Sequence, residues 1–156
     1  KKSILENDKI KKLDYKNSFN NIIRVLKGTN FNYFSNKAQT LFFNETYTVT
    51  KLVDRMGMRI DGPKLKNIVS SNIKSEGLVK GVIQVPADGY PIILLSDHGT
   101  IGGYPKIAAV ISADLDKVGQ LTPGSKINFK EVSLEEAEDL FKSYNNETNK
   151  YLNENN

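Results

Sequence analysis

The sequence predicts a mostly β, barrel-like α+β domain. Short runs of β-branched and aliphatic residues recur between turn residues, about seven in all. Helical stripes are few and short until the C-terminal end. Two runs, Ile92–Leu95 and Ile107–Ile111, are apolar throughout, as central strands buried on both faces are. With 156 residues and 38% hydrophobic content, one domain with one sizeable core is expected.

Residues 1–20 are polar and lysine-rich, with Ile4, Leu5, Ile10 and Leu13 isolated among them. They read as a linker or as the remnant of a preceding lobe, and the start at Lys1 rather than Met predicts a piece of something longer. The barrel is expected over 21–144. Ile22–Leu26 is a β-type run closed by Gly28. Ser35 is placed to cap a helix over 36–44, with Ala38, Leu41 and Phe42 on one face. Tyr47–Thr50 alternates with period two, and Met58–Asp61 reads as a strand ended by Gly62-Pro63.

Two runs, 81–85 and 91–95, flank Pro86-Ala87-Asp88-Gly89, which predicts a β-hairpin. Pro86 is expected at the second position of a type I turn, with Gly89 left-handed after it. A short helix near 114–118 would start from Ser112 or Asp114, and Leu121–Ser125 would turn into a strand over 126–129. Ser133-Leu134-Glu135-Glu136 is a capping box. Beyond it Leu134, Ala137, Leu140, Phe141 and Tyr144 share one helical face, and 145–156 read as a frayed polar tail.

Net charge is +4 and unevenly spread: eight Lys/Arg against three acids in residues 1–30, but two against seven in 131–156. No basic cluster is interleaved with aromatics, so nothing supports a nucleic-acid surface. The absence of cysteine excludes disulfides, thiolate chemistry and Cys-based zinc sites. One histidine and no calcium-loop spacing leave no expected metal site. No apolar run approaches the ~20 residues that span a bilayer. A cytoplasmic protein is expected.

Chemistry-bearing side chains collect in three places. The connection 97–106 holds Asp97, the single histidine His98, Thr100, Tyr104 and Lys106 among Gly99, Gly102 and Gly103. Loops mounted on a rigid scaffold are where sites concentrate, and glycines allow positive φ or close approach. His98 would serve as general base near neutral pH, or as a hydrogen-bonded structural residue. Asp97 and Lys106 would pair and hold the loop shut. Because the glycine-rich stretch leads into a strand, it does not form a phosphate-binding helix start.

The second place is 54–59, with Asp54, Arg55 and Arg59 around Gly57. On an extended segment Arg59 opposes Met58 and Ile60 and can face a cleft, offering a planar fork to a carboxylate. An Asp54–Arg55 ion pair steadying a turn is the other reading. The third is Ser75-Glu76-Gly77 together with Gln84, which interrupts an apolar strand. Gln84 needs a partner if buried, or points to solvent.

The continuous stretch 81–108, from Gly81-Val82-Ile83-Gln84-Val85 through Asp97-His98-Gly99-Thr100-Ile101-Gly102-Gly103-Tyr104-Pro105-Lys106, resembles one family's signature. Residues 54–63, 110–115 and 132–137 fit the same family. It is known as the KipA family, as the C subunit of 5-oxoprolinase, or as the urea amidolyase-related (allophanate hydrolase second-subunit) family. The resemblance is to its C-terminal half, over roughly 21–140.

The resemblance implies a cyclophilin-like β-barrel with a related lobe preceding it. It also implies a hydrolase component that opens 5-oxoproline to glutamate with ATP. The implied partners are a KipI-like protein (the B component of 5-oxoprolinase) and a LamB-type one (the A component). The alternatives are the carboxyltransferase part of a biotin-dependent urea carboxylase, and a regulatory module that counteracts a KipI-like kinase inhibitor. By motif position the implied catalytic residues are Asp97, His98 and Arg59. The implied substrate-binding residues are Asp54, Arg55, Gln84, Thr100, Gly103, Tyr104 and Lys106. Gly99 and Ile101 depart from the family's usual Gln and Thr, and this half alone would be inactive.

Overall fold

A computed structural model describes residues 21–153, so the reading of 1–20 lies outside the described residues. Seven strands form a closed barrel: β1 (Ile22–Lys27), β2 (Tyr47–Val53), β3 (Gly57–Asp61), β5 (Val82–Gln84), β6 (Ile92–Leu94), β8 (Lys106–Val110) and β9 (Lys126–Glu131). Round the barrel they run β1-β8-β5-β6-β3-β2-β9, and β9 pairs with β1 in parallel to close the ring. Every other pairing is antiparallel. Closure leaves the seven strands without a free edge. The remaining two strands, β4 (Glu76–Gly77) and β7 (Ile101–Gly102), pair only with each other.

Helix α1 (Asn36–Asn44) starts where Ser35 accepts a hydrogen bond from the Ala38 N–H at 3.2 Å. It lays Ala38 and Phe42 into the core, and Phe42 stacks on Phe129 of β9 at 4.5 Å between ring centroids. Tyr47 and Phe129 complete this aromatic corner. Ile23, Val25, Ile60, Ile83, Ile93 and Ile107 are fully buried and fill the barrel. Burying each such side chain contributes about 2 kcal/mol from apolar area.

The β5–β6 hairpin forms with Ile83 opposite Ile93. Its turn differs from expectation in one detail. The Gly89 N–H donates to the Pro86 carbonyl at 3.0 Å, so Pro86 stands first in the turn, and Gly89 is the left-handed residue at φ +83°. Of the glycines in 97–106, none has positive φ.

A 3-10 turn over Ser112–Asp114 leads into α2 (Leu115–Gly119), and neither Ser112 nor Asp114 caps it with a side chain. Asp114 turns inward instead. It is fully buried and accepts from the Arg24 backbone N–H (2.8 Å), Arg24 Nε (3.0 Å) and Arg24 Nη2 (2.6 Å), with Lys117 Nζ at 3.0 Å. Burial pushes its carboxyl up, but these bonds more than offset that and hold it below the ordinary carboxylate range. Helix α3 (Leu134–Asn153) begins with Ser133 accepting from the Glu136 N–H at 3.1 Å. It packs Ala137, Leu140 and Tyr144 against Ile111 and Val132, whereas Leu134 and Phe141 are exposed. The helix continues to Asn153, so most of the expected polar tail is helical.

Candidate functional site

Strand alternation decides which side chains leave the barrel. On β3, Met58 and Ile60 point in, so Gly57 and Arg59 point out. On β5 Ile83 and Val85 point in and Gln84 out, and on β6 Ile93 points in while Ile92 and Leu94 point out. These outward residues of three adjacent strands form the floor of a cleft of about 660 Å³. Ile92 and Leu94 are its apolar floor; Leu94 is buried as expected, whereas Ile92 is partly exposed.

The roof is the β4–β7 ribbon. Glu76 lies opposite Gly102, the Leu78 N–H donates to the Thr100 carbonyl at 3.0 Å, and the Ile73 N–H donates to the Gly103 carbonyl at 2.8 Å. This places Leu78, Ile101, Gly102, Gly103 and Tyr104 over the strands. Gly102 is needed for close approach: a Cβ there would stand 2.8 Å from Leu78 Cδ1 and 2.9 Å from Gln84 Nε2. The ribbon is fastened by Lys106 of β8, whose Nζ lies 2.5 Å from Glu76 Oε2 and 3.4 Å from Asn30 Oδ1. The Lys106 bond holds the Glu76 carboxyl below its ordinary range.

Of the sequence-derived candidates, the structure brings Asp54, Arg59, Gln84, His98, Gly103 and Tyr104 to the cleft. Arg59 Nη1 is 2.6 Å from Asp88 Oδ2 at the hairpin tip. Burial raises the Asp88 carboxyl, and the bonds from Arg59 and the Tyr90 N–H outweigh that and leave it lowered. Gln84 is buried, and its Nε2 donates to the Tyr104 carbonyl at 3.3 Å. His98 Nδ1 lies 2.6 Å from the Gly99 carbonyl. A carbonyl only accepts, so His98 Nδ1 is the donor in this contact. Asp54 Oδ1 accepts from the Met56 and Gly57 N–H groups at 2.8 and 2.9 Å, bracing the β2–β3 corner.

Arg55, Asp97, Thr100 and Lys106 do not line the cleft. Arg55 pairs with Asp97, Nε to Oδ2 at 2.7 Å, on the surface, and Lys106 pairs with Glu76. Neither the expected Asp97–Lys106 pair nor an Asp54–Arg55 pair forms, because each partner has a nearer one. The Thr100 side chain is exposed and only its backbone joins the ribbon. Sequence reasoning missed Asp88 as the partner of Arg59, and Leu78, Ile92 and Leu94 as walls. No group of His, Asp or Glu among the described residues is arranged to hold a metal ion. No described helix is long and apolar enough to cross a membrane.

The family model "Carboxyltransferase domain, subdomain A and B" matches residues 2–131. The chain belongs to this carboxyltransferase-domain family. It is 40% identical over 117 residues to the 5-oxoprolinase C subunit of Escherichia coli, covering 75% of this chain and 38% of that protein. It is 32% identical over 120 residues to the urea amidolyase of Lachancea kluyveri, covering 71% of this chain and 6% of that one. The structure of Kluyveromyces lactis urea carboxylase superposes with a TM-score of 0.73 at 33% identity, over 80% of this chain and 12% of that one. The chain thus spans well under half the length of these relatives. The barrel matches the fold expected from the family resemblance.

Proposed function

We propose that this family member is the cleft-bearing lobe of a cytoplasmic 5-oxoprolinase C subunit, which opens 5-oxoproline to glutamate. The observation that carries the reading is the cleft's composition: an apolar floor and roof holding one arginine and one buried amide, with Lys51, Asp54 and His98 also lining it. That inventory suits a small lactam bearing a carboxylate, and the 40% identity to the 5-oxoprolinase component favours that substrate over urea.

In this reading Arg59, oriented by Asp88, binds the substrate carboxylate with its remaining N–H donors. Gln84 and Tyr104 engage the amide. Water adds to the lactam carbonyl, the C–N bond breaks, and the ring nitrogen leaves as an amine after gaining a proton. His98 Nε2 is the base within the cleft that takes the proton from water. Asp97, tied to Arg55 outside the cleft, supports the loop rather than the proton transfer.

Among the described residues the glycines of 99–103 lead into β8 rather than a helix, so they form no phosphate-binding helix start. ATP is therefore not assigned to this lobe, and the nucleotide belongs to the assembled complex with KipI-like and LamB-type partners. The carboxyltransferase family and the urea carboxylase superposition favour one second reading, transfer of a carboxyl group to urea. Leu78, Leu94 and Gln84 would then hold the ureido ring of carboxybiotin, which supplies the carboxyl group. Assembling the full-length protein with both partners and assaying ATP-dependent glutamate release from 5-oxoproline tests the proposal. Biotin-dependent carboxylation of urea in place of that release would select the second reading.

A further inference from the structure

Gln84 is 5% exposed, on the outer wall of β5 and under the ribbon. Its Nε2 donates to the Tyr104 carbonyl at 3.3 Å. Because a carbonyl cannot donate, the amide is held with nitrogen toward Tyr104, and its oxygen is directed the other way. That oxygen has no hydrogen-bond partner among the described residues, yet it is not one of their sealed, unsatisfied polar atoms, which are Tyr47 Oη and Asn67 Oδ1. It therefore meets the cleft that Gln84 lines. Leu78, Ile92 and Leu94 line the same cleft with apolar surface and supply no side-chain donor. Gly102 lets the ribbon lie close over the amide: a Cβ there would sit 2.9 Å from Nε2.

We infer that Gln84 Oε1 is an acceptor presented to the cleft that makes it selective for ligands presenting an N–H donor beside an apolar ring edge. The inference rests on the lactam reading above and sharpens it. The cleft takes the secondary lactam and rejects its N-methyl and lactone counterparts, although all three carry the carboxylate that Arg59 binds. The N-methyl lactam and the lactone bring no donor, so Gln84 Oε1 is left unpaired against them. A methyl group at the nitrogen would both remove the donor and press on Oε1. A site that buries an acceptor for one donor discriminates sharply against ligands lacking it.

Calorimetric titration of the purified protein with three probes tests this: 5-oxoproline, N-methyl-5-oxoproline and 5-oxotetrahydrofuran-2-carboxylate. The expected result is ~10- to 100-fold weaker binding of the second and third, the effect of leaving a buried acceptor unpaired. In Gln84→Leu the three affinities should converge. Thermal melts would confirm that the variant folds. Equal affinities for the three probes in the unaltered protein would overturn the inference while leaving the lactam reading intact. No binding of any probe would overturn both.

Discussion

Lys106 and Glu76 hold the cleft's roof to its floor, and removing them one at a time should have unequal effects. The Lys106 side chain is 6% exposed and that of Glu76 is 42% exposed. Glu76→Ala strands a buried ammonium with only Asn30 Oδ1 at 3.4 Å. Breaking a buried pair in this way costs roughly 3–5 kcal/mol, and the half-exposure of Glu76 reduces that to about 2 kcal/mol here. Expressed as ribbon opening, this is about a 30-fold increase. Lys106→Met removes the charge itself and lets Glu76 return to water. Asn30 Oδ1 still accepts from the residue-106 backbone N–H at 3.0 Å, so the loss should stay under ~1 kcal/mol.

Hydrogen exchange at the Ile73 and Leu78 amides, which bond across the ribbon, reads this out directly. Exchange should rise strongly in Glu76→Ala and little in Lys106→Met, with the barrel amides of β8 unchanged. Equal effects of the two variants, or none, would refute the latch. The acid limb follows the same pair. The Glu76 carboxyl is lowered in the folded state, so its contribution is present above its unfolded pKa of about 4.3 and fades as pH falls through the lower folded value. Ribbon exchange should therefore increase below about pH 4.

Asp114→Ala should destabilise the fold by about 3–5 kcal/mol, because it leaves Arg24 and Lys117 facing a buried vacancy. Since the Asp114 carboxyl is also lowered, the deficit relative to the unaltered protein should be full at pH 7 and shrink as pH falls through the folded pKa, as urea titrations at several pH values would show. Gly102→Ala should weaken 5-oxoproline binding about tenfold by displacing Gln84, with the melting temperature nearly unchanged. Ser35→Ala should cost about 1 kcal/mol through loss of the α1 cap, visible as a lower urea midpoint at unchanged slope.

Local signals were the legible ones. The Ser35 cap with the Ala38–Phe42 stripe located α1, and the turn residues 86–89 located the hairpin. The outward direction of Arg59 followed from period two alone. The ribbon was not legible, because β4 and β7 are two residues each and pair across an interval too long for any periodicity to report. Its ion pair was hidden for the same reason: Glu76 meets Lys106 only after the barrel closes. Leu94 is buried as expected, and the partial exposure of Ile92 has another cause. An apolar run does not distinguish a strand packed on both faces from one whose outer face forms a cleft floor. Gln84 was noticed as an interruption, and its burial became explicable only once the ribbon lay over it.

The most direct measurement is glutamate release from 5-oxoproline by the full-length protein assembled with the proposed KipI-like and LamB-type partners and ATP, run beside an Arg59→Ala variant. The expected result is ATP-dependent release by the unaltered complex. In the variant, release should fall at least ~100-fold while assembly with the partners is retained. No release from a complex that assembles and binds ATP, or undiminished release in Arg59→Ala, would contradict the assignment of this cleft as the lactam site.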